Sequence, residues 1–142
     1  MNALDIISDP FAAEQAAVRQ RLDEILDAVG RKDFDRLAGY HLDSPKFTKF
    51  DDFEPLDRQD AATTNRLEAE GLGGVKRFRG EFQELKVDVF GAVAIATAVF
   101  DYGFEADGEQ ISARARTTLV FVDDNEEWRI THEHFSPFKA NP

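Results

Sequence analysis

The chain contains no cysteine. Disulfides, thiol catalysis and thiolate metal sites are therefore excluded. Basic residues are scarce: 17 Lys and Arg stand against 28 Asp and Glu, a formal net charge of −11. Neutralising nucleic-acid phosphate takes clustered Lys and Arg, so no nucleic-acid partner is expected. The same deficit disfavours an anionic membrane surface. No apolar run approaches the length of a membrane span. The start, Met1-Asn2-Ala3-Leu4-Asp5, lacks the basic and apolar parts of a signal peptide. A soluble cytoplasmic protein is the expectation. Gly71-Leu72-Gly73-Gly74 follows a helical stretch rather than a strand and reads as a cap and turn. No serine sits in a nucleophile elbow. Nucleotide-dependent and serine-hydrolase chemistry are not expected, nor is a cofactor. There are one Trp and two Tyr against 13 Phe, which points to a Phe-rich interior.

A length of 142 residues with 42% hydrophobic content fits one domain, 1–142. The first half has helical periodicity. Asp9-Pro10 reads as an N-cap followed by proline at the first helical position. Val18, Leu22, Ile25, Leu26 and Val29 then recur at helical spacing up to Gly30. A second helix is expected over about 33–38, a short strand at Phe47-Thr48-Lys49-Phe50 and a polar helix over about 60–70. From Arg79 the period becomes two. Strands are expected at about 79–89, 92–104, 111–122 and 127–136, with turns at Phe90-Gly91, Asp107-Gly108 and Asp124-Asn125.

These turns set a register. Asp107-Gly108 pairs Ala106 with Glu109, Phe100 with Ala115 and Asp101 with Arg114. Asp124-Asn125 pairs Phe121 with Trp128, Thr117 with His132, Ala115 with His134 and Arg116 with Glu133. Phe90-Gly91 pairs Val87 with Ala94, Gln83 with Ala98 and Glu81 with Phe100. Opposite charges meet and apolar residues share a face, as cross-strand pairing prefers. One end of that face is core. The other carries Glu81, Gln83, Phe100, Tyr102, Ala115, Thr117, His132, His134 and Ser136. Small alanines beside larger polar groups leave volume unfilled, as in a pocket wall.

The chemistry concentrates in Trp128-Arg129-Ile130-Thr131-His132-Glu133-His134-Phe135-Ser136, which holds two of the three histidines. Alternation puts His132, His134 and Ser136 on one face with Trp128. His134 and His132 are the candidate proton carriers, since an imidazole titrates near pH ~6.5. Tyr102 is a candidate donor to a developing oxyanion. Ser136, Thr117, Phe100, Ala115, Gln83, Glu81 and Trp128 are the candidate ligand-binding wall. Glu81 beside Phe100 is a second candidate base, or else a strand-edge surface charge. Tyr40 and His41 follow the second helix and either line the mouth or are solvated. A three-His zinc site would need His41 to join the His132/His134 pair, and no carboxylate motif supports it; no metal is expected. The outer face, with Val93, Ile95, Val99 and paired charges, is a candidate dimer interface. The run 47–55 reads as a strand and a lid loop, or as chain packing its phenylalanines onto the core.

Helices followed by a curved antiparallel meander resemble the nuclear transport factor 2-like cone, an α+β fold. The last strand, after Arg116-Thr117-Thr118, is similar to the SnoaL-like branch of that superfamily. The resemblance implies a homodimer with a small-molecule pocket between helices and sheet, in the company of ketosteroid isomerases, polyketide cyclases and dehydratases. It points to cofactor-independent acid–base chemistry on a small apolar carbonyl compound, with a non-catalytic ligand-binding or dimerisation module as the alternative. His132, His134 and Ser136 also match alternate positions of the His-His-His-Ser-Ser strand of iota-type carbonic anhydrases, whose other two positions are Glu133 and Phe135 here.

Overall fold

The computed structural model describes residues 3–138; the start at Met1-Asn2 lies outside them. Four helices precede or interrupt a five-stranded sheet: α1 Ala3–Ser8, α2 Ala12–Gly30, α3 Phe34–Gly39, β1 Thr48–Phe50, α4 Ala61–Gly73, β2 Lys76–Phe90, β3 Val93–Ala106, β4 Glu109–Asp124 and β5 Glu127–Pro137. The sheet order is β1-β5-β4-β3-β2, with β1 parallel to β5 and every other pair antiparallel. Among the described residues no helix is long and apolar enough to cross a membrane.

Local chemistry explains the helices. Helix α2 starts at Ala12, two residues later than the Asp9-Pro10 signal suggests. Asp9 Oδ1 instead accepts from the Phe11 N–H at 2.8 Å, and Phe11 takes a left-handed backbone (φ 47). Val18, Leu22, Ile25 and Val29 are buried against the sheet. Asp33 caps α3 by accepting from Arg36 N at 3.2 Å, and Asp60 caps α4 by accepting from Thr63 N at 2.8 Å. Each cap satisfies an orphan N–H of the first turn.

The β3–β4 hairpin has the expected register throughout, including Phe100 opposite Ala115 and Asp101 opposite Arg114. Asp107 and Gly108 both take positive φ, 52 and 78, as a tight type I′ turn requires.

The two flanking hairpins differ from expectation, for one physical reason. In β4–β5 the turn residues are Asn125 and Glu126, at φ 54 and 70, and Asp124 faces Glu127. Phe121 therefore faces Ile130, not Trp128. Thr131 is then an extra residue, a bulge, after which Val120 faces His132. One inserted residue moves every later side chain to the opposite face. Thr117 faces Phe135, Thr118 faces His134, Leu119 faces Glu133 and Arg116 faces Ser136. The Arg116–Glu133 pair does not form; Glu133 points inward and His132, His134 and Ser136 point outward. The β2–β3 hairpin repeats this. Its turn is Gly91-Ala92, so Val87 faces Ala96. A bulge at Glu84-Leu85, with Glu84 at φ 54, then sends Phe82 inward and Glu81 and Gln83 outward.

The core occupies the end of the inner face nearest the turns: Val87, Val89, Ala94, Ala96, Leu119, Phe121, Trp128 and Ile130 under α2. At the other end the sheet curls away and leaves space. Gly80 permits the curl, since a Cβ there would lie 2.8 Å from the Phe100 ring and 3.2 Å from Leu26.

Candidate functional site

A cavity of about 730 Å³ opens between α2, α4, the loop after β1 and the far end of the sheet. Its walls are mainly apolar. On the sheet side a row of rings runs along it: Phe82 stacks on Phe100 with centroids 4.8 Å apart, Phe100 on Tyr102 at 5.2 Å, and Phe135 closes on Phe100 at 6.1 Å. Leu26, Val29, Leu67 and Leu72 face them from the helices.

At the floor lies a cluster of buried charges. His41 follows α3, is held against β5 by a bridge to Ile130 and is 2% exposed. Its Nε2 meets Glu133 Oε1 at 2.6 Å, and its Nδ1–H donates to Asn65 Oδ1 at 2.7 Å. Lys49, in the middle of β1, places Nζ 3.3 Å from Glu133 Oε2, 3.7 Å from Glu68 Oε2 and 3.6 Å from Asp51 Oδ2. Lys49 and Glu133 are each 4% exposed. Burial alone opposes charge on all three. The mutual attraction outweighs it, pushing His41 up to about 9, holding Glu133 at about 2 and raising Lys49. The core of the floor is an ion triad charged at neutral pH.

Glu68 on α4 is different. Burial pushes its carboxyl up, and the neighbouring Glu133 carboxylate adds to that against the pull of Lys49 and His41. Its Oε1 is buried without a hydrogen-bond partner. Nearer the mouth, Tyr102 donates its hydroxyl to Asp52 Oδ2 at 3.2 Å. Burial, then the shared hydrogen bond with Asp51, raises the Asp52 carboxyl; burial and the Asp52 carboxylate raise the Tyr102 phenol. Asp51, Asp52, Phe53, Glu54 and Pro55 form the outer wall, and Phe53 is 61% exposed.

Of the sequence-derived candidates, the cavity takes in Tyr102 and Phe100. His132 and His134 lie on the outer face, their rings 6.1 Å apart beside Phe50; His132 Nδ1 is hydrogen-bonded to Thr48 Oγ1 at 2.8 Å. Ser136 is beside them, opposite Arg116. The bulge at Thr131 removes all three from the pocket wall. Glu81 is exposed on the outer face, which leaves the surface-charge reading. Gln83 there donates to Asp101 Oδ2 at 3.3 Å. Thr117 and Ala115 are buried on the inner face outside the cavity, where the Thr117 hydroxyl donates to Ala115 O at 3.2 Å. Trp128 belongs to the closed core. His41 and the His132/His134 pair sit on opposite faces of the sheet, so no three-His site forms. Tyr40 is buried under the Arg21 guanidinium, 4.3 Å above its ring.

The sequence reading passed over Lys49, Glu68 and Glu133. His41, Glu68 and Glu133 do converge closely enough to ligate a cation. The Lys49 ammonium, ion-paired with Glu133 at 3.3 Å and Glu68 at 3.7 Å, already supplies that positive charge.

The SnoaL-like domain family model matches residues 18–140. The chain belongs to the SnoaL-like family. No curated protein sequence matches this SnoaL-like chain. Solved structures share its fold. One, from Streptomyces avermitilis, is described as a candidate dehydratase of the NTF2-like family; it is 18% identical with a TM-score of 0.80, over 91% of this chain and 99% of that one. An NTF2-like protein of unknown function from Pseudomonas putida KT2440 is 21% identical with a TM-score of 0.77, over 92% and 91%. The CaMKII hub of S. rosetta is 25% identical with a TM-score of 0.69, over 87% and 96%.

Proposed function

We propose that this SnoaL-like chain binds a small, largely apolar molecule in the cavity and moves a proton on it without a cofactor, in the manner of an isomerase, cyclase or dehydratase. The observation that carries this is Glu68: a half-buried carboxyl on the wall of an apolar cavity, whose Oε1 makes no hydrogen bond and lies 3.6 Å from His41 Nε2, and whose proton affinity is raised. A carboxyl displaced upward is suited to taking a proton beside a carbonyl and returning it. The ion triad beneath fixes its surroundings, and Tyr102 and Asp52 offer hydrogen bonds nearer the mouth. The description of the S. avermitilis neighbour as a candidate dehydratase agrees with this reading. The volume of about 730 Å³ suits a multi-ring or branched molecule and is far larger than carbon dioxide needs. The outward-facing His132, His134 and Ser136 leave carbon dioxide hydration without its strand.

The test is exchange of protons beside the carbonyl of 1-tetralone and a series of cyclic aliphatic ketones in D2O, followed by NMR. Wild-type protein should accelerate exchange for at least one ketone, and Glu68→Gln should lower that rate about a hundredfold. Equal rates with both proteins on every ketone would sink the proposal.

A second reading concerns the outer sheet face. Val93 is 37% exposed, and Ile95, Val99, Val120 and Val122 are half-buried beside it. We propose this face as a homodimer interface. Its centre is apolar and its margin carries Asp101, Arg114 and Arg116, the arrangement of association surfaces. Val99→Glu should raise the monomer fraction in analytical ultracentrifugation; an unchanged dimer would refute the assignment.

A further inference from the structure

The chain between β1 and α4 is held at its two ends and left loose between them. Lys49 and Gln59 exchange two backbone hydrogen bonds, from Lys49 N–H to Gln59 O at 3.1 Å and from Gln59 N–H to Lys49 O at 2.9 Å. Just inside that pair, Asp51 Oδ2 lies 3.6 Å from the Lys49 ammonium, and Asp52 accepts the Tyr102 hydroxyl at 3.2 Å. From Phe53 to Arg58 the ties end. Among the described residues, no hydrogen bond or ion pair holds any residue of 53–58. A segment with so few bonds rearranges at little free-energy cost.

The side chains of this segment suit cover better than water. Phe53 is 61% exposed and Leu56 56%. Single exposed apolar residues are ordinary on a surface. Phe53, however, also lines the cavity with Glu54 and Pro55, so a large ring stands mostly in water at the outer wall of an apolar site. Ile111, a further lining residue, is 37% exposed. An apolar rim gains by leaving water, but only by turning onto something that fills the space inside it. The empty cavity offers Phe53 little to pack against, whereas a bound ligand offers it an apolar surface.

We propose that residues 53–58 are a lid, anchored at one end by the Tyr102–Asp52 hydrogen bond and at the other by the Lys49–Gln59 pair, that folds over a bound ligand and lays Phe53 against it. Phe53 is then the residue that sets how tightly and for how long the ligand is held, and closure excludes water from around Glu68. This rests on the cavity being the ligand site and adds what closes it. The probe is whichever of 1-tetralone and the cyclic aliphatic ketones binds the full chain most tightly by calorimetric titration. Phe53→Ala should weaken that binding about tenfold. It should leave the melting midpoint of the unliganded chain unchanged, since the ring is mostly exposed there. Closure itself is read by trypsin at the exposed Arg58, in a loop loose enough for a protease to engage. Saturating ketone should slow that cut at least about fivefold in the wild-type chain and much less in Phe53→Ala at equal saturation, which separates closure from general stabilisation by the ligand. Unchanged affinity in Phe53→Ala overturns the lid and leaves the cavity reading standing. Weakened affinity without protection of Arg58 does the same, since Phe53 would then be fixed wall. No cut at Arg58 in the unliganded chain likewise overturns the lid alone. No binding of any ketone overturns both.

Discussion

The two faces of β5 carry similar chemistry in opposite surroundings. Outward, His132 and His134 stand beside Phe50 at the surface. Inward, Glu133 is sealed with His41 and Lys49. Imidazoles on this partly solvated face contribute little to stability, whereas a buried carboxylate holding two cations is costly to lose, because removing it strands both charges. A single inserted residue, Thr131, decides which set is which.

The comparison can be broken at Glu133 first. Glu133→Gln should cost about 3–5 kcal/mol in denaturant unfolding, while His134→Ala should stay within about 0.5 kcal/mol. Equal costs would mean that the strand faces are assigned the wrong way round. Next comes Gly80→Ala, at the curled end of the sheet. Its Cβ would meet Phe100 ring atoms at 2.8 and 2.9 Å, so a loss of about 1–3 kcal/mol is expected, measured as a lowered melting midpoint. No loss would show that the ring is not packed there.

The finest test is titration. His41 is raised from 6.5 to about 9, so the stability it contributes is full below 6.5 and fades as the pH climbs through 9. Glu133 is lowered from 4.5 to about 2, so its contribution is full above 4.5 and fades as the pH falls through 2. Melting temperature should therefore be greatest between about pH 4.5 and 6.5 as far as these two groups set it. By NMR, His41 should titrate near 9. His132, lowered by burial and then by His134, should titrate below 6.5. A His41 midpoint at or below that of His132 would refute the buried triad.

Much of the architecture was legible in the chain, and the exceptions have a common cause. Asp107-Gly108 announces its turn because glycine takes positive φ without steric cost, and the hairpin it closes follows in full. Glu84, Asn125 and Glu126 adopt the same left-handed backbone with no glycine to signal it. Charge complementarity favoured an Arg116–Glu133 pair that does not form. A better signal was present: large apolar residues change parity within a strand. Trp128 and Ile130 are even and Phe135 is odd; Val87 and Val89 are odd and Phe78 and Phe82 even. A change of parity in a half-buried strand requires a bulge between the two runs, and both bulges lie where the parity changes. Placing Thr131 as the extra residue puts Glu133 inside and makes a buried cationic partner necessary. Lys49, between Phe47 and Phe50, is a natural candidate. Glu68 was harder to find, because nothing local ties a helix carboxyl to the cavity, and His41, expected at the mouth or in solvent, lies buried at the floor.

Breaks in the pairing of β2 have one more consequence. β2 is a free edge of the sheet, and an open edge invites strand addition and aggregation. Lys76, Arg77, Arg79, Glu81, Glu84 and Lys86 along it are all exposed charges, and its hydrogen-bonding row is interrupted between Lys76 and Arg79 and again between Gln83 and Lys86. The other edge is only the three residues of β1. Exposed charge and interrupted pairing of this kind oppose the addition of a further strand at that edge.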